Sequence, residues 1–179
     1  VQPGDYVFIQ FGHNDQKIKS EDRYSDPKTE FRDNLKKYIR ETRSKGGIPV
    51  LFTSIARRHF SGDTLIDTHG DWITATKAVA QEENVVLIDM NKSTTELLQA
   101  TGDVDSRKWF MGVKPGTIAL RPDGFEDNTH MNVAGARLFA KMAVDEIKEK
   151  VPALAQYIRY YDFVVAKDGS GDFFTVQEA

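Results

Sequence analysis

Three short apolar runs, set apart by gaps long enough for helices, constrain this chain more than any other feature. Tyr6-Val-Phe-Ile-Gln-Phe11, Ile48-Pro-Val-Leu-Phe-Thr53 and Val85-Val-Leu-Ile88 are β-branched or aromatic on both faces, as strands covered on two sides should be. Between the first two, Asp26-Pro27 reads as an N-cap and first helical position, and Phe31, Leu35, Tyr38 and Ile39 recur at helical spacing. Gly46-Gly47 stops that helix. Trp72, Ala75 and Val79 mark a second helix, Asn91 can cap a third through Leu97 and Leu98, and Asn132 a fourth through Val133, Ala136, Ala140, Ala143 and Ile147. Pro152 opens a short additional one. Strands joined by crossover helices make a parallel α/β sheet, and such sheets build sites beyond the carboxyl ends of their strands. His13-Asn14-Asp15, which follows the first strand, lies on that edge. Residues 102–130 read as a long connection with a helical turn around Trp109 and Phe110, and a connection of that length is usually functional.

The totals narrow the chemistry. At 179 residues the chain is long enough for one well-buried domain with a small appendage. Having no cysteine excludes disulfides, thiolate catalysis and Cys-ligated zinc. A net charge of -3 gives no reason to expect nucleic acid or an anionic membrane surface as partner. No apolar run approaches the ~20 residues of a membrane span. Val1-Gln2-Pro3-Gly4-Asp5 leads straight into a strand without an initiator Met or signal peptide, so a piece of a longer polypeptide is expected.

The most chemically suggestive stretch is Gly124-Phe-Glu-Asp127-Asn-Thr-His130-Met-Asn132, expected as a loop announced by Pro122-Asp123-Gly124. An Asp that accepts the Nδ1 proton of a His fixes its tautomer and leaves Nε2 free as a base. In isolation, Asp and His three apart are more often a plain loop hydrogen bond. The upstream stretch Phe11-Gly12-His13-Asn14-Asp15 reverses those odds. Other groups weigh less. His59, Asp63, Asp67 and His69 could hold a divalent metal, but their spacing fits no known zinc or calcium motif and a solvated loop is the plainer reading. Arg57-Arg58 could meet uronic-acid carboxylates or form salt bridges. Trp109 and Phe110 could stack on sugar or belong to the core. Asp15 reads as a carboxylate tying its own loop, His13 has no assigned role, and Ser54 lacks the turn of a nucleophile. The Lys/Glu series from Lys141 to Lys150 is a solvated helix face.

Gly12-His13-Asn14-Asp15 resembles the Gly-x-Asn-Asp block of the SGNH (GDSL-type) hydrolases, and Asp127-Asn-Thr-His130 with Asn132-Val-Ala-Gly135-Ala136 resembles their Asp-x-x-His block. The wording of the first block, with Thr53-Ser-Ile-Ala-Arg57-Arg58 and Phe110-Met-Gly-Val-Lys-Pro-Gly116, is similar to the rhamnogalacturonan acetylesterase branch. The resemblance implies a three-layer, flavodoxin-like parallel sheet lacking its N-terminal part. It makes His130 the general base, Asp127 its orienting acid, and Asn14, with Gly12 beside it, the oxyanion donors. No metal or cofactor is implied. The blocks with the nucleophilic serine and a further glycine donor belong before Val1, so the chain has no nucleophile of its own and is expected to be inactive alone. The missing first strand would lie beside residues 6–11, leaving an edge open to self-association. The tail, Phe163 to Ala179, is similar to the opening of pectin methylesterases. The expected organisation is therefore a partial SGNH domain at 1–150, a terminal helix and linker at 151–162, and the first strand region of a pectinesterase-like β-helix at 163–179. The implied activity is removal of acetyl groups from a pectic polysaccharide by a secreted or periplasmic enzyme. A metal-dependent hydrolase and a non-catalytic pectin-binding module are the alternatives.

Overall fold

The computed structural model describes residues 1–159, 164–167 and 173–178. In chain order the elements are β1 (Tyr6–Gln10), α1 (Glu30–Ser44), β2 (Ile48–Phe52), β3 (Phe60–Ser61), β4 (Thr64–Leu65), α2 (Asp71–Glu82), β5 (Val86–Ile88), α3 (Met90–Thr101), α4 (Asp103–Ser106), β6 (Phe110–Val113), β7 (Phe125–Met131), α5 (Val133–Lys150) and α6 (Pro152–Ala155). The three apolar runs form one parallel sheet in the order β1-β2-β5, with Phe8 opposite Val50 and Val50 opposite Val86.

Residue alternation along β2 builds the layers. Leu51 faces one side with Ile9, where Phe31, Leu35 and Ile39 of α1 and Ala75, Val79 and Ala80 of α2 cover it. Val50 and Phe52 face the other side, against Met90 and Leu98 of α3 and Phe139 and Ile147 of α5. Ile39, Leu51, Val79 and Leu98 are fully enclosed. Truncating one of them to Ala would cost about 2–5 kcal/mol, the lost transfer energy plus the cavity left behind. The two faces are not covered equally. Among the described residues β1 pairs only with β2, and its Phe8, packed on Phe52 at 5.2 Å between ring centres, remains 49% exposed.

Several boundaries differ from expectation. Asp26-Pro27 do not begin α1. The Asp26 carbonyl accepts from Thr29 and Phe31 and its carboxylate from Lys28, making a turn ahead of a helix that starts at Glu30. Asp89, immediately after β5, caps α3 by accepting from the Lys92 N–H at 3.3 Å, so Asn91 falls inside the first turn. Asn132 caps α5 as expected, accepting from the Gly135 N–H at 3.0 Å. Gly135 is required there because a Cβ would collide with the Trp109 carbonyl. The 102–130 connection is more ordered than its sequence implies: α4, one 3-10 turn at Arg107–Trp109, then the antiparallel hairpin of β6 and β7. Pro152 opens α6.

Of the tail, residues 163, 168–172 and 179 lie outside the described residues, which takes in much of the segment that resembles a pectinesterase opening. Val165 and Phe173 form an isolated parallel bridge. Among the described residues no helix is long and apolar enough to cross a membrane.

Candidate active site

The chain leaves β1 through Gly12, at φ +129, where a Cβ would sit 2.6 Å from the Ser54 hydroxyl oxygen. Only glycine satisfies both constraints. Ser54 is buried and donates its hydroxyl to the Phe11 carbonyl at 2.9 Å, so it braces this exit rather than offering a nucleophile. The Gly12 N–H donates to Asp15 Oδ2 at 2.9 Å, and Asp15 Oδ1 accepts from the Ser25 hydroxyl at 2.9 Å. Asp15 therefore ties the loop. The Gly12 N–H, expected as an oxyanion donor, is engaged by Asp15 in this structure. Asn14 is exposed, and its side-chain amide has no hydrogen bond to the protein among the described residues.

Asp127 and His130 lie on β7, not in a loop, and this raises a geometric question. In a regular strand, residues three apart point to opposite faces and stand about 10 Å apart. The pairing of β6 with β7 resolves it. Phe110 pairs with Met131 and Gly112 with Glu126, so two steps along β6 are matched by five along β7. The surplus three residues bulge outward. Asp127 Oδ1 accepts from the Thr129 and His130 N–H groups, both at 2.8 Å, closing a turn inside the bulge. That turn carries His130 back over Asp127, and Nδ1 meets Oδ2 at 2.7 Å. Partial burial of Asp127 works against its charge, but the His130 and Thr129 N–H groups and the His130 imidazole outweigh it and hold the carboxyl below its ordinary range. The His130 side chain is 74% exposed, and among the described residues no serine hydroxyl is hydrogen-bonded to it.

Two adjacent arginines after β2 hold the two halves. Arg57 reaches the first loop, donating to the His13 carbonyl at 3.0 Å and to Gln16 Oε1 at 2.7 Å. Arg58 reaches the bulge. Its N–H donates to the Asn128 carbonyl at 2.9 Å, and its buried guanidinium binds Asn128 Oδ1 and the Asp103 carboxylate, with Glu126 at 3.6 Å. Both arginines read in sequence as uronate ligands or surface salt bridges. They are internal ties, and Arg58 is 3% exposed.

The first loop and the bulge also sense each other electrostatically. His13 is held neutral, its pKa lowered to about 4, first by burial, then by the Arg57 charge and then by charge on His130. His13 and the exposed imidazole of the bulge therefore share one neighbourhood. His69, 2% exposed, packs into the same place with Nε2 at 3.1 Å from His13 Nδ1. It does not join His59, Asp63 and Asp67 in a metal cluster, and no group able to hold a metal occurs among the described residues. Asp67 instead accepts from the N–H groups of His69 and Gly70. Phe110 is core, and Trp109 packs beneath Lys108, 5.1 Å from its ring. A cavity of about 680 Å³ opens beside the bulge, lined by Arg58, Arg107, Lys114, Phe125, Glu126 and Asp127 among others.

With this geometry in place, comparisons with known proteins become informative. The GDSL-like lipase/acylhydrolase family model matches residues 1–138. Among curated sequences, the rhamnogalacturonan acetylesterase RhgT of Bacillus subtilis is 39% identical over 150 residues, covering 83% of this chain and 63% of RhgT. The probable rhamnogalacturonan acetylesterase YesY of the same organism is 34% identical over 149 residues, covering 83% of this chain and 64% of YesY. The chain thus spans a little under two thirds of the length of either relative. Among solved structures, the B. subtilis protein YxiM superposes with a TM-score of 0.62 at 27% identity, covering 83% of this chain and 38% of that one. Fold, sequence match and motif order agree: the chain belongs to the GDSL-like lipase/acylhydrolase family.

Proposed function

We propose that this chain carries the proton-transfer and oxyanion-binding half of a carbohydrate esterase that removes acetyl groups from a pectic polysaccharide. The observation that supports it best is the β7 bulge, which sets Asp127 on His130 Nδ1 at 2.7 Å and leaves Nε2 toward solvent. A serine supplied from outside these residues would attack the acetyl carbonyl while His130 Nε2 accepts its proton and Asp127 stabilises the imidazolium. The carbonyl oxygen becomes an oxyanion and receives the Asn14 side-chain N–H. Collapse breaks the bond to the sugar oxygen, which takes the proton back from His130 and leaves an acetyl-enzyme. Water then repeats the sequence, releasing acetate and restoring the serine.

The similarity to RhgT and YesY, named as acetylesterases of rhamnogalacturonan, supports the substrate class. A polymeric pectic substrate in turn favours a secreted or periplasmic setting. The exposed Phe8 and Phe11 and the single pairing of β1 favour association along that strand. The test is acetate release from acetylated rhamnogalacturonan, comparing the 179-residue chain with a polypeptide extended by its upstream coding sequence. Release by the extended form alone is expected. Equal release by the short chain would overturn the split, and a monodisperse short-chain monomer would overturn the association.

A further inference from the structure

The reaction outlined above leaves one well-built group unused, the His13–His69 pair beside Arg57. Hydrogen bonding along this cluster admits two proton arrangements, and one of them aims a donor outward from His13. Arg57 Nη1 can only donate, and it donates to Thr68 Oγ1 at 3.1 Å. In that arrangement the Thr68 hydroxyl hydrogen points at His69 Nδ1, 3.4 Å away, Nδ1 accepts, and the His69 proton is on Nε2. His69 Nε2–H in turn points at His13 Nδ1, 3.1 Å away. His13 Nδ1 then accepts, and the proton of its neutral ring sits on Nε2. That N–H has no protein partner among the described residues and is not among the buried atoms left without one, so it opens toward solvent. It projects from the loop that carries Asn14, within electrostatic reach of His130.

We propose that His13 is a substrate-binding residue whose Nε2–H, oriented by the Arg57–Thr68–His69 relay, donates a hydrogen bond to an uncharged oxygen, a hydroxyl or ring oxygen, of the sugar next to the ester. The inference rests on the esterase reading for the identity of that sugar. A proton already on Nε2 rules out a base role for that atom. The absence of charge on the ring selects hydroxyl or ring oxygens over a uronate carboxylate, which would favour a cation. The relay also explains why His69 is buried next to a second histidine: it supplies direction to His13 rather than charge.

Two measurements test this. In long-range proton–nitrogen correlation spectra of the 179-residue chain labelled with ¹⁵N-histidine, His13 should show the Nε2–H tautomer and stay neutral down to about pH 5. Addition of a deacetylated rhamnogalacturonan oligosaccharide should shift its Nε2 resonance. An Nδ1–H tautomer, ordinary imidazole titration near about 6.5, or saturation with sugar without a shift would each overturn the proposal. In the extended polypeptide, His13→Phe should lower kcat/KM on acetylated rhamnogalacturonan roughly tenfold through KM and leave 4-nitrophenyl acetate hydrolysis within about twofold. His13→Gln, which keeps an N–H donor, should recover part of the loss. Equal losses on both substrates would mean a merely structural role. Absence of any esterase activity would sink the esterase reading instead, and the sugar titration would still decide the fate of His13.

Discussion

The two halves of the site are built in opposite ways. The loop after β1 is braced from within: Asp15 ties Gly12 and Ser25, Ser54 holds Phe11, and Arg57 holds His13 and Gln16. Its histidine is drawn out of water and kept neutral. The β7 bulge is braced from behind through Arg58 and Asn128, and it presents His130 to solvent. The difference would suit the roles proposed for the two halves. The bracing fixes the backbone from which the exposed Asn14 amide would donate, whereas a base must reach a proton that another group brings. Exposure of His130 also leaves its pairing with Asp127 open to solvent screening.

The contrast can be broken at its strongest point first. In the extended polypeptide, His130→Ala should lower deacetylation by about 10³-fold or more, because the nucleophile loses its base. Asp127→Asn should come close to it while leaving the fold intact by circular dichroism. Next in size is Arg58→Met, which should destabilise the chain by about 3 kcal/mol in urea unfolding, since it strands the buried end of the Asp103 and Asn128 network. The same change at Arg57, which is half-buried, should cost less and should loosen the Gly12–Asp15 loop rather than the bulge, as read by amide exchange. Asn14→Ala should slow turnover about a hundredfold with little effect on stability, as expected for an exposed donor needed only when an oxyanion forms.

The smallest expected effect concerns pH. Burial first, then Arg57, lowers the pKa of His13 to about 4 and that of His69 to about 3, with Asp15 and Asp67 opposing weakly. The unfolded imidazoles bind protons below about 6.5 while the folded ones do not. Stability is therefore full above pH 6.5 and falls as the pH drops toward 4. Most of the loss between pH 7 and 4.5 comes from the buried His69, with that from the partly exposed His13 reduced by solvent screening, and His69→Gln should make the slope shallower. An unchanged slope in the variant would mean the pair is not buried as described.

Much of this was legible in the sequence, for identifiable reasons. The β-branched runs gave β1, β2 and β5 because strands covered on both faces must be apolar throughout. The spacing of Phe31, Leu35 and Ile39 gave α1 because one stripe of a helix meets the sheet. The β6–β7 hairpin was not legible: from Phe125 to Met131 the residues are largely polar, and a bulged strand shows no alternation. The relay from Arg57 to His13 was hidden for another reason. Its members come from three separate stretches, and only the fold brings Thr68 and His69 under His13. The bond from the Gly12 N–H to a carboxylate three residues on was likewise hidden, because motif order does not reveal it.

The central claim is that the Asn14 loop and the β7 bulge serve one reacting carbon. The most direct measurement is the crystal structure of the extended polypeptide after reaction with a serine-directed phosphonate. The expected result is a phosphonyl group on a serine upstream of Val1, with His130 Nε2 and Asn14 Nδ2 both within hydrogen-bond reach of it. A labelled serine far from either residue, or full esterase activity with no such adduct, would contradict it.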